Sequence, residues 1–428
     1  MEMLALRQGD GAVMWLHGAE AQPPVRATLR AAPGWAGEER EERLGIILEG
    51  MPEQLRAWVA EVERLLLLAA RWAREGAGQP VNLCIVPYAG SEEYRSLITA
   101  GQISLPPGGL ASGRAQVEVR LRRVDVWESS EEVLAAANPG GVDGGEGLLL
   151  MNHCDGQHCN YAAVTGGQVR GSLPGLVRLN AAYTNGLGDL TTALVTGGED
   201  GAPGRGGVVL EAEAAEGETG IVAPEASGGQ YVRRVVSPFP ASALLTWHLS
   251  SDDLLAWEPG EMIPFARFLA APGPYADAVV FWQVTSQGVT WESARLPLGS
   301  ALLQELPAVD LFAGLRGGRF APLALALMLK GPGIYEASID FVQFFPAGRV
   351  RRYLARGGLQ GGGVLEDDCG AVAATPEGGG ARLASHCAVG QPLALEPGRD
   401  QRLYVLHAGG SLDELRVRLW YRPRWREV

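Results

Sequence analysis

The sequence predicts a mostly β, multi-domain protein of β-sandwiches and a jelly roll, with one amphipathic helix in its N-terminal domain. Three observations lead there. The 59 glycines and 27 prolines are spread between short apolar runs, more than long helices tolerate. Only one segment places its apolar residues convincingly at helical spacing. At 428 residues the chain also exceeds what one compact core accommodates, so several domains are expected.

Short strands are expected at Met1–Leu6, Ala12–His17, Val25–Leu29 and Leu44–Leu48, and the charged run Glu38–Arg43 reads as a solvated loop. The helix follows. Pro52 suits a first-turn position, and Leu55, Trp58, Val59, Val62, Leu65, Leu66 and Ala69 fall on one stripe. Gly76 and Gly78 end it. Its polar face mixes acids and bases, which favours core packing over a membrane surface. Strands resume at Val81–Val86 and at Val117, Val119 and Leu121, which alternate with Glu118, Arg120 and Arg122.

The Ser, Asn, Pro and Gly rich stretch 127–147 marks a first boundary, and 197–207 a second. Between and beyond them only β patterning recurs. Strands are expected at Leu148–Asn152, Tyr161–Val164, Val208–Ala212, Tyr231–Val236, Leu244–Leu249, Phe265–Leu269, Val279–Val284, Ala324–Leu329 and Ala337–Phe344. Leu302–Leu306 reads as a short helix. Val417, Leu419 and Tyr421 alternate as a strand with one wet face.

Charge and composition exclude several functions. A formal net charge of −13 argues against a nucleic-acid partner, because phosphate binding needs a basic surface. No apolar leader follows Met1, and no apolar run is long enough for membrane insertion. The five cysteines are too few and too scattered for a disulfide scaffold. Cys84 reads as core; Cys369 and Cys387 read as free thiols, or as a pair closing a short loop.

No signature of catalysis is found. There is no G-x-S-x-G elbow, no phosphate loop, and no histidine in a familiar catalytic setting. Asp252-Asp253 and Asp367-Asp368 are sequence neighbours rather than carboxylates facing across a cleft, so turn and cap roles are expected of them. An enzyme is therefore not expected. His153, Cys154, His158 and Cys159 supply four zinc-type ligands in seven residues, with a polar hairpin turn as the alternative. Trp247, Trp257, Trp282 and Trp291 crowd the central segment. Trp257, beside Asp252, Asp253 and Glu258, is the candidate for an exposed ring that stacks on a ligand sugar.

Two resemblances extend this reading. Val209-Leu-Glu-Ala-Glu213, Ala226-Ser-Gly-Gly-Gln-Tyr-Val232 and Ile339-Asp-Phe-Val342 resemble the frame of the family 6 and 35 carbohydrate-binding modules, which are β-jelly rolls. The resemblance implies a structural calcium held by Glu211, Glu213 and Asp340, oxygen ligands of the kind calcium takes. Outside that segment the chain resembles long minor tail proteins of tailed bacteriophages. The resemblance is carried by the helix Leu55–Trp72 with the strand that follows it, Tyr94-Arg-Ser-Leu-Ile98 and Val124-Asp-Val-Trp-Glu128. It continues through Gly171-Ser-Leu-Pro-Gly-Leu-Val-Arg178, Pro397-Gly-Arg-Asp-Gln-Arg-Leu-Tyr404 and Trp420-Tyr-Arg-Pro-Arg424. The N-terminal part is similar to the ring-forming domain of distal tail proteins, which build hexameric rings and often carry a lectin-like second domain.

These resemblances imply a ring-forming domain at 1–130. A β unit at 131–206 is expected to pair with 347–428, with a jelly roll at 207–346 inserted between them. The implied function is non-enzymatic: a tail protein, made in the host cytoplasm and resident in the virion. Its expected partners are copies of itself, other tail proteins and a host-surface glycan, and no cofactor is required beyond the structural calcium. The competing expectation is a stand-alone calcium-dependent glycan-binding protein.

Overall fold

The computed structural model describes the chain except residues 1, 10, 12, 20–24, 37–38, 77, 106–109, 111–112, 131–132, 135–147, 152–160, 184–189, 197–206, 238, 271, 273–276, 315–320, 355–363, 369–370, 376–387, 408–413 and 428. Two compact units are resolved: residues 1–133 with 170–175 and 422–428, and residues 134–169 with 176–421.

The first unit is one antiparallel sheet with a helix on it. Its strands are β1 (Met3–Gln8), β2 (Val13–His17), β3 (Val25–Ala36), β4 (Glu39–Glu49), β5 (Val81–Val86), β6 (Tyr94–Ser104), β7 (Arg114–Val124) and β8 (Trp127–Ser129). They are ordered β2-β1-β5-β6-β7-β4-β3, with β8 on β6. Helix α1 (Pro52–Glu75) buries the seven apolar residues that its spacing predicts. Gln54 accepts the Met51 N–H at its start, and Gly76 closes it in a left-handed conformation, φ 64°, with its N–H on the Trp72 carbonyl. The helix packs on β5 and β6, and the fit is close. A Cβ built at Gly101 would meet Leu66 Cδ2 at 2.6 Å.

Two sequence expectations change here. The charged run 38–43 is not a loop: residues from Glu39 onward form β4, whose alternate residues Glu42, Leu44, Ile46 and Leu48 are buried. Glu42 fits inside because Arg123 on β7 donates to it from 2.8 Å. The end of the chain also returns to this unit, where Arg424–Trp425 pairs with β8 and the Trp425 ring meets Tyr94 edge-on at 5.1 Å.

The second unit contains two sheets built from segments far apart in sequence. In one, Gly175–Tyr183 lies between Val364–Asp368 and Glu414–Tyr421, flanked by Ala371–Thr375 and Leu148–Met151. In the other, Leu190–Thr196 lies between Val350–Tyr353 and Gln401–His407. A buried polar tie joins them: Asp367 accepts from the Tyr353 hydroxyl at 2.7 Å and pairs with Arg351 at 2.5 Å. Asp367 thus lies inside a strand, not in the turn or cap expected of it.

Leu190–Thr196 and Val350–Tyr353 are paired neighbours, and the chain between them forms a two-sheet sandwich. Its first sheet runs Ile221–Val222, Gln230–Val236, Tyr335–Pro346, Glu261–Ala270, Leu303–Glu305; its second runs Ser242–Leu249, Leu323–Lys330, Val279–Ser286, Val289–Glu292. Leu303–Glu305 is a strand rather than the short helix expected, because a run of five residues lacks the length to show a period. The two sheets enclose a large apolar core that includes Trp247, Trp257, Trp282 and Phe344. The other face of the first sheet is apolar too. There Ile263, Phe265, Phe341 and Phe345 pack with Ala193, Val195, Tyr404 and Leu406. Tyr335–Pro346 is therefore buried on both faces, with Glu336 its one exposed residue.

Candidate functional site

The carboxylates singled out by sequence meet where three elements converge on one strand. Val208–Glu211 pairs with Tyr335–Pro346 at residues 341–344, and Gln230–Val236 pairs with it at residues 335–339. Asp340 falls in the gap between them. On the opposite side Arg267 faces Phe341 while Phe268 faces Ile339, so Asp340 is the extra residue of a β-bulge. A bulge re-aims a side chain, and this one turns Asp340 into the interior.

Asp340 is 0% exposed and both of its oxygens are engaged. Oδ1 accepts the Ser227 N–H at 2.8 Å, and Oδ2 accepts from Arg267 Nη1 at 2.9 Å. Arg267 Nη2 donates to the Glu225 carbonyl at 2.8 Å. Glu211 accepts the Ser227 hydroxyl at 2.9 Å, and its carbonyl accepts the Trp247 indole N–H at 2.8 Å. Glu213 lies under the 226–229 turn, where a Cβ added at Gly228 would stand 3.2 Å from its Oε1. Its Oε2 is buried with no hydrogen-bond partner.

The electrostatics follow from this burial. Burial pushes the Asp340 carboxyl up to about 7, against the pull of Arg267 and the Ser227 N–H. Burial, then the Glu211 charge, raises Glu213 as well.

Calcium takes six to eight oxygens, several from carboxylates. Asp340 has already given both of its oxygens to hydrogen-bond donors. Among the described residues, no three His, Cys, Asp or Glu side chains form a group that could hold a metal. The donor set does not fit the calcium ion that the resemblance implies. Arg267, which sequence reading passed over, is the reason. Its signal was present: a single charge inside the apolar run Met262–Leu269 must find a partner if that run is buried.

Trp257 corrects a further expectation. It is 2% exposed, its ring set against Phe344 at 4.8 Å, so it offers no stacking surface. One of the acids beside it, Asp253, ties the turn that carries it inward, accepting both the N–H and the hydroxyl of Ser250 at 2.7 Å. Trp247 and Trp282 are also core, and half-buried Trp291 donates to the Asp310 carbonyl. His153, Cys154, His158 and Cys159 lie outside the described residues, as do Cys369 and Cys387. Cys84 is a buried free thiol, pushed up to about 12 by burial and then by Glu93.

No protein-family model and no curated protein matches the chain. Among solved structures it is similar to the Dit (gp 19.1) protein of phage SPP1, a hub of the adsorption apparatus in phages infecting Gram-positive hosts. That likeness has 12% identity, 48% of this chain and 73% of that one covered, and a TM-score of 0.24. The phage p2 baseplate in its activated conformation is similar at 11% identity, covering 83% and 99%, with a TM-score of 0.21. An exo-β-1,3-galactanase from Phanerochaete chrysosporium is similar at 11% identity, covering 80% and 68%, with a TM-score of 0.22. At TM-scores this low these likenesses assign no function to this chain. Among the described residues no helix is long and apolar enough to cross a membrane.

Proposed function

We propose that this chain is a non-enzymatic structural component of a bacteriophage or phage-like tail, of the distal or minor tail type. The first unit joins copies of the chain into a ring, and the inserted sandwich is displayed for host-surface attachment or to stabilise the tail. The observation that carries the reading is the build of the first unit, an antiparallel sheet with a single helix packed on it, in keeping with the ring-forming tail domains that its sequence resembles.

The resemblance of residues 55–98 and 124–128 to distal and minor tail proteins supports the same role, and six copies is the number it implies. The stand-alone, calcium-dependent glycan binder is weakened on both of its supports: Arg267 engages Asp340, and Trp257 is core. Sedimentation of the full-length chain tests the proposal. A single species several times the mass of one chain is expected, and a monomer across the accessible concentration range would contradict it.

A further inference from the structure

We propose that Arg267 is the built-in cation of the Glu211, Glu213 and Asp340 cluster, so that the inserted sandwich closes without a divalent metal. A metal at such a junction would bind carboxylate and backbone carbonyl oxygens and thereby tie the strands to the loop. The guanidinium makes the same kind of tie with hydrogen bonds. Nη1 takes Asp340 Oδ2 at 2.9 Å and Nη2 takes the Glu225 carbonyl at 2.8 Å. One planar fork thus links strand Glu261–Ala270, strand Tyr335–Pro346 and the loop before Ser227.

The exchange is stereochemically specific. Arginine stays charged in any protein setting and presents its donors in a fixed plane, which a lysine ammonium does not. Arg267 is 3% exposed and Asp340 0%, so each is the other's principal charge compensation. The remaining oxygen of Asp340 is held by the Ser227 N–H, and the Ser227 hydroxyl in turn holds Glu211. Donors therefore occupy both oxygens of Asp340, where a metal would need open lone pairs. The consequence is functional: whatever surface the sandwich displays keeps its shape in chelating or calcium-poor media.

Thermal unfolding of the full-length chain, in EDTA and in millimolar calcium chloride, tests this. Wild type is expected to melt at the same temperature in both. Arg267→Met is expected to melt lower in EDTA and to recover part of the loss in calcium, because its carboxylates are released for a metal. Arg267→Lys should fall between them. A wild-type melting temperature that drops in EDTA and returns with calcium would overturn the proposal. So would an Arg267→Met chain that melts like wild type, or one whose loss calcium leaves untouched. Calcium titration calorimetry on wild type needs no variant to fold: no saturable heat is expected, and saturable binding would overturn the proposal.

Discussion

Arg123 on β7 donates to Glu42 on β4 at 2.8 Å with both side chains at most 2% exposed, and the guanidinium also lies over the Trp127 ring at 4.4 Å. Desolvation lowers the arginine's own proton affinity, so the pair holds only while Glu42 is there to compensate it. Glu42→Ala is expected to cost about 3–5 kcal/mol, because it strands a buried charge. The double variant Glu42→Leu/Arg123→Met should recover most of that loss. Denaturant unfolding of the three chains measures both steps.

Gly101 on β6 and Leu66 on α1 are in closer contact than a methyl group allows. Gly101→Ala should cost about 1–3 kcal/mol by overpacking. Leu66→Ala should cost about 2–5 kcal/mol by leaving a cavity. Made together, the added methyl partly fills the space vacated, so the double variant should lose less than the sum. A double-mutant cycle reads this coupling directly.

Helix α1 was legible in the sequence because a stripe of seven residues over four turns has no other reading, and the alternating strands of both units were legible for a related reason. Two of the differences share one cause. Glu42 and Arg267 are charges on buried faces, and a sequence pattern assigns a charge to solvent until its partner is known. Those partners lie 81 and 73 residues away in the chain. Trp257 is the opposite case: its acidic neighbours suggest exposure, yet one of them, Asp253, ties the turn that carries the ring inward. The return of Arg424–Trp425 to the first unit has no local signal, since a two-residue strand carries no period.

Glu213 and Asp340 both hold protons more tightly in the folded chain than an exposed carboxyl does, because burial disfavours their charged forms. Their folded-state contribution is therefore fully present below the ordinary carboxylate value of about 4 and is lost as pH rises above it, through about 7 in the case of Asp340. Glu213→Gln removes one of the two. It is expected to become progressively more stabilising, relative to wild type, as pH is raised across that window. Paired melting curves at the two ends of the window would show the trend; a difference independent of pH would contradict it.

Cys84 is buried between β1 and β6, and its thiol is pushed up to about 12. Since the thiolate is the reactive form, native protein at pH 8 should leave this position unmodified by a thiol reagent. Denaturant should expose it to full labelling. Peptide mapping by mass spectrometry distinguishes Cys84 from the other four cysteines.

Assembly through the first unit is the central claim, and negative-stain images of purified full-length protein test it most directly. Closed rings of uniform diameter are expected. Uniform single particles the size of one chain would contradict the claim.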